Sequence, residues 1–173
     1  MKNAYPEKPM VPYQKTTVEM AKVIAAIKKL QAPVEVKRST YIVFRNESAN
    51  GKSGVNNNFG GIQVDSTRWP AKYDRLITGV VSKTENGTGN VRLFAAFASP
   101  ESFLEMLSDR LKDRGIYVGG DTYRVVKAHV DTPAELALIY KREWVTGDKD
   151  AILTEAEQKN FVSMYNQAEA LFK

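Results

Sequence analysis

The stretch from Tyr41 to Gln63 limits what this chain can fold into more than any other. Tyr41-Ile42-Val43-Phe44 is wholly apolar, which predicts a helix buried on all sides through the middle of the fold. That helix delivers one carboxylate, Glu47, and Gly51 breaks it four residues later. A polar loop of Asn, Ser and Gly follows, and Phe59 and Ile62 then anchor the chain back into a core. A carboxylate at the C-terminal end of a helix faces the negative end of the macrodipole. Shielding by apolar neighbours acts in the same direction, and both favour the protonated acid. A general acid working near neutral pH needs that property. The plain alternative is a solvated Glu at a frayed helix end, where most surface Glu residues lie.

Size and composition bound the rest. A chain of 173 residues fits one domain with a substantial core. Its 43% hydrophobic and 26% charged residues are ordinary for a globular protein. No run of eighteen apolar residues occurs, so no membrane insertion is expected. The first residues lack the apolar core of a secretory signal, which predicts synthesis in the cytoplasm. Cysteine is absent, which excludes disulfides and thiolate metal sites. One histidine, His129, is too few for a histidine metal cluster, and it shows no partner motif for a triad. No metal or organic cofactor is expected. The net charge of +5 suits an anionic partner. The basic residues are scattered and no nucleic-acid signature stands out, so a cell-wall polymer is preferred to nucleic acid.

Along the chain, residues 1–15 read as an extended arm carrying Pro6, Pro9 and Pro12. Its functional reading is a tether or partner-binding strand; its plain reading is a poorly ordered terminus. Thr16 or Thr17 is predicted to cap a helix to about Leu30, with Val18, Ala21, Ile24, Ile27 and Leu30 as its apolar stripe. Pro33 starts the helix that ends at Glu47. In the loop, Asn56, Asn57 and Asn58 can close Asx turns and adopt left-handed backbone, or present amides to a sugar. Gln63 can bond an acid or stitch the loop. Trp69 stands open between core residue and platform for a pyranose ring.

The β-rich runs 76–85 and 91–97 flank Asn86-Gly87 and predict a hairpin. Glu85 lies at its tip. Ser99-Pro100 starts a helix that Gly115 ends. Gly119-Gly120-Asp121-Thr122 predicts a short helix to about His129, and Thr132-Pro133-Ala134-Glu135 a longer one to about Trp144. Thr154-Glu155-Ala156-Glu157 is a capping box for a last helix over about 154–172. The expected fold class is α+β, mainly α: an arm over 1–15, then one domain over 16–173 with a β-lobe at about 76–97.

The loop motifs resemble the lysozyme-like superfamily of peptidoglycan hydrolases, whose catalytic Glu ends a helix. Glu47-Ser48 with Gly61-Ile62-Gln63 looks like the lytic transglycosylase version. Glu47, Gly51-Lys52-Ser53 and Asn57-Asn58-Phe59-Gly60 look more like the flagellar-type N-acetylglucosaminidase version. Thr84-Glu85-Asn86-Gly87 holds the place of that family's β-lobe turn. The chain departs from the family at Ala95 and Ala98, where an Arg and a Tyr are usual, and at 128–133, which keeps little of a Tyr-Ala-Thr-Asp-Pro segment.

The resemblance implies a lysozyme-like helical domain that cleaves a β-1,4 bond of the bacterial wall. Glu47 would be the general acid and Glu85 the second carboxylate. Asn57, Asn58, Phe59, Gln63, Trp69, Tyr123 and Tyr140 would be the sugar-binding candidates. A muramidase or transglycosylase, the latter needing no second carboxylate, is the alternative within that class. A non-catalytic glycan-binding or virion module is the alternative outside it. Peptidoglycan strands would be the partner of a monomer acting on the cell wall. Delivery would be by a virion, lysis or secretion component, with the arm as a docking segment.

Overall fold

Helical periodicity, β-branched runs and capping motifs resolve into a mixed α+β, mainly helical fold. The computed structural model describes residues 2–85 and 88–173. The sequence reading has one domain over 16–173; by packing, the chain forms two compact units. One comprises Met1–Val23 with Phe44–Met106, the other Ile24–Val43 with Leu107–Lys173, and the divisions fall within helices.

In the first unit the leading residues correct the reading of a poorly ordered terminus. Ala4 donates to the Val64 carbonyl at 2.9 Å, and Val11 and Val80 exchange backbone bonds with Val80 and Pro9 at 2.9 Å each. Tyr5 is fully buried, its hydroxyl accepts from the Trp69 N–H, and Arg68 stacks on its ring. Prolines here remove donors without removing acceptors, so the segment can line a sheet edge. Strand β1 (Lys15–Thr16) pairs antiparallel with β2 (Gly54–Val55). Thr16 is therefore a strand residue and not a cap. Helix α1 begins later, at Met20, and runs to Lys29. Its fully buried residues are Val23 and Ile27, with Ala21 exposed, so its inner line is rotated from the expected stripe.

Helix α2 (Val34–Glu47) ends at the expected carboxylate, and Ser39 to Phe44 are all buried. Thr40 and Ser48 turn their hydroxyls back to the Val36 and Phe44 carbonyls at 2.7 and 2.5 Å, which is how polar residues are tolerated there. The predicted hairpin is β3 (Ile77–Thr84) with β4 (Val91–Phe97), in a register that sets Val81 opposite Phe94 and Lys83 opposite Arg92. Backbone bonds from residues 62–64 cover the β4 edge and the leading segment covers β3. Both edges are thus blunted. Helix α3 (Pro100–Asp113) follows, with the Ser99 hydroxyl accepting from Ser102 N–H at 3.3 Å.

In the second unit the helix expected over Gly119–His129 is instead a small hairpin, β5 (Asp121–Thr122) with β6 (Ala128–His129). The reason is Glu143, whose buried carboxylate accepts from Val125 and Val126 N–H at 2.7 Å each and from Arg114 at 2.8 Å. That carboxylate takes the N–H groups a helix would have used internally. Helix α4 (Pro133–Ile139) has its Thr132–Glu135 capping box, but beyond it residues Tyr140–Thr146 form a π-helix where an α-helix was expected to continue to Trp144. The wider turn coincides with the inward placement of Glu143. Helix α5 (Glu155–Leu171) starts at the Thr154–Glu157 box and buries Phe161, Met164, Tyr165 and Ala168.

Burial pushes the Glu143 carboxyl up, but the Val126 and Val125 N–H groups and Arg114 together hold it below its ordinary 4.5. A carboxyl depressed in the folded state stabilises above that value, and the contribution is lost as pH falls through the folded one. Replacing Glu143 with Ala leaves Arg114 unpaired in a buried place and should cost about 3–5 kcal/mol. Urea unfolding at pH 7 should read that loss, and the gap between the two proteins should close as the pH is lowered below 4.

Candidate active site

Glu47 is placed by the helix that carries it and by the turn that follows. Ala49, Asn50 and Gly51 all take left-handed backbone, with φ of 48°, 57° and 79°. Asn50 N–H closes on the Arg45 carbonyl, Ser53 N–H on that of Ser48, and Gly51 N–H on the Ser48 hydroxyl. The helix end is therefore capped and not frayed. Gly51 is required there twice over: by its φ, and because a Cβ would lie 2.2 Å from the Val18 carbonyl oxygen.

Glu47 lies on a cleft of about 230 Å³ within the first unit. Gly54 and Val55 of β2 form one wall, with Ser53 beside them, and Gly60 and Gly61 form another. The buried residues Phe59 and Phe94 back the cleft, and Lys83 of β3 adds a positive charge. Small-ligand pockets usually hold 300–1,000 Å³, so this cleft suits part of a polymer better than an engulfed small molecule. Glu47 is half-buried. The arrangement offers one carboxyl group and one lysine side chain on the same cleft.

The structure brings Glu47, Asn58 and Phe59 into this one cleft. Asn58 spends its amide on the loop itself. Its nitrogen donates to the Ile62 and Ala95 carbonyls at 3.0 Å each, and its oxygen accepts from Ile62 N–H at 3.0 Å and Gly60 N–H at 3.4 Å. Asn56 and Asn57 take the left-handed backbone expected of them. Asn57 donates its amide to the Phe97 carbonyl and its N–H to Thr16. Phe59 packs its ring on Phe44 and Phe103, at 5.3 and 5.9 Å between centroids.

A second constellation surrounds Glu85. Gln63 donates to the Glu85 carboxylate at 3.2 Å and accepts from Arg92 at 2.7 Å; Thr88 also donates to Glu85 at 2.8 Å. Arg92 pairs with buried Asp65 and holds that carboxyl below the usual carboxylate range, against its burial. The turn residues Asn86 and Gly87 lie outside the described residues. Trp69 is half-buried, its indole N–H donating to the Gln63 carbonyl at 2.8 Å. Tyr123, exposed, and Tyr140, stacked on Phe161 at 5.6 Å, belong to the second unit. His129, also there, is exposed and its pKa is raised by its bond to Asp121. Among the described residues no cluster of His, Asp and Glu suited to a metal ion occurs.

Sequence reasoning missed Lys83 and Phe94. Both lie on one face of the predicted hairpin, and alternation along β3 and β4 is the signal that pairs them. In comparisons with known proteins, no family model, no curated protein and no solved structure matches this chain.

Because every polar atom of the Asn58 amide is used internally, Asn58→Ala should destabilise the protein by about 2–3 kcal/mol by orphaning buried backbone groups. A lower urea midpoint at unchanged slope is the expected reading.

Proposed function

We propose that this protein is a peptidoglycan hydrolase that cleaves a β-1,4 glycosidic bond, most simply as an N-acetylglucosaminidase, with Glu47 as the general acid. The observation that carries this reading is the position of Glu47. It ends a buried helix, behind a capped left-handed turn, on the wall of a cleft beside an Asn- and Gly-rich loop. The motif resemblance over Glu47–Gln63 supports the choice of substrate.

In this reading the glycan lies along the cleft beside the Gly60-Gly61 backbone, with the buried rings of Phe59 and Phe94 behind it. Glu47 donates its proton to the departing glycosidic oxygen as the C–O bond breaks. The positive charge that grows at the anomeric carbon is met by the substrate's own N-acetyl oxygen or by Glu85; water then adds to that carbon, and its proton returns to the Glu47 carboxylate. Glu85 reaches the bond only if the hairpin closes, since among the described residues its side-chain partners are Gln63 and Thr88. That placement favours a second reading, a lytic transglycosylase, in which the 6-hydroxyl of muramic acid attacks and one carboxylate suffices. The net charge of +5 suits an acidic wall.

Wild-type protein should clear a gel loaded with bacterial cell wall, and Glu47→Gln should lose at least about 100-fold of that activity, the usual weight of a general acid. Equal clearing by both would remove Glu47 from its role, and no clearing with retained binding to sacculi would favour a glycan-binding module. Glu85→Gln should cost a further large factor only in the hydrolytic route. Mass spectrometry of the fragments distinguishes the routes, by reducing GlcNAc ends against 1,6-anhydro muramic acid ends.

A further inference from the structure

Lys83 is the charge in the cleft that the proposed reaction does not use. It is half-buried on β3, and its ammonium stands over the Phe94 ring at 5.9 Å from the centroid. Among the described residues no carboxylate pairs with it. Its cross-strand neighbour is a second cation, Arg92, and like charges directly opposite one another oppose strand pairing. Arg92 is compensated by its bonds to Asp65 and Gln63. Lys83 has no such compensation, so folding alone gives no reason for an ammonium at this position. A neutral residue of the same length would cover Phe94 as well.

The chemistry that would use it is an anion on the bound polymer. An ammonium held over an aromatic face in a partly water-excluded cleft is a better receptor for a carboxylate than one free in solution. The cleft that presents this charge also presents Glu47, so an anion bound at Lys83 would position the glycan lengthwise against the acid.

Resting on the glycosidase reading above, we propose that Lys83 is the specificity residue of the Glu47 cleft: its ammonium takes the lactyl carboxylate that a muramyl sugar carries once its stem peptide is gone, and so favours peptide-free glycan beside the acid. An uncharged N-acetylglucosamine polymer would then be the poorer ligand. The residue acts by positioning, not by touching the bond that breaks.

The test is a binding titration on the full chain carrying Glu47→Gln, which halts turnover. The probes are a tetrasaccharide of alternating GlcNAc and MurNAc with free lactyl carboxylates, and the same tetrasaccharide methyl-esterified. The free acid should bind about ten-fold more tightly than the ester, and the preference should shrink as salt rises from about 0.05 to about 0.5 M. Adding Lys83→Met should bring the acid down to the affinity of the ester and leave the ester unchanged, while Lys83→Arg should keep most of the preference. Circular dichroism of each variant verifies folding, and the salt series on the Glu47→Gln protein tests the idea without a Lys83 variant. A preference that survives Lys83→Met or is insensitive to salt overturns the assignment. Equal binding of acid and ester by a protein whose wild type clears cell wall overturns it while leaving the glycosidase reading in place. Failure to bind either probe, with no clearing by wild type, ends both.

Discussion

Four phenylalanine rings decide where this chain can put Glu47. Phe44 sits one helical turn before the carboxylate and packs on Phe59 at 5.3 Å and on Phe103 at 6.2 Å, and Phe97 closes against Phe103 at 5.5 Å. The rings come from a helix, a loop, a strand and another helix, so one cluster ties four separate segments of the first unit together. Tilted and edge-on contacts of this kind add about 0.5–1.5 kcal/mol per pair beyond the area they bury. Loosening any ring would therefore move the helix end, the Asn loop or β4, the strand paired with the one that supplies Lys83. The cleft keeps its shape because its floor is core.

Polar groups around that floor are divided between those that build and those that remain available. Asn58 and Asn57 bind backbone and hold the loop. Gln63, Arg92 and Asp65 form a chain of bonds that ends on Glu85. Such networks are stable when every member is satisfied, and they restrict the side chains they contain. Glu85 is thereby oriented by its neighbours, whereas among the described residues Lys83 meets the Phe94 ring and no carboxylate. A buried carboxylate performs the corresponding constructive task in the second unit, where Glu143 organises residues 121–129 from a position in a π-helical turn.

The features that were legible in the sequence are those whose signal is local. Capping boxes at Thr132 and Thr154, the Ser99-Pro100 start and the β-branched runs around Asn86-Gly87 each specify their element from within a few residues. The end of α2 at Glu47 was legible because an apolar run and a glycine bracket it. The errors share the opposite cause. Residues 119–129 look like a capped helix until a carboxylate some twenty positions later takes their N–H groups. The leading segment shows no periodicity, because its partners are backbone groups of Val64 and Val80. Lys83 joins the cleft only through the hairpin register, and no spacing from Glu47 announces it.

The attachment of the Asn loop to the first strand has a practical side. Asn56 N–H bonds the Gln14 carbonyl at 2.8 Å, its side chain reaches Gln14 N–H and the Pro12 carbonyl, and Asn57 N–H rests on Thr16. The β2 side of the cleft is thus braced from behind by residues that a biochemist would trim without concern. Shortening the protein into the twelfth to sixteenth positions, or pulling on that stretch with a fused tag, removes the support of the cleft beside Glu47.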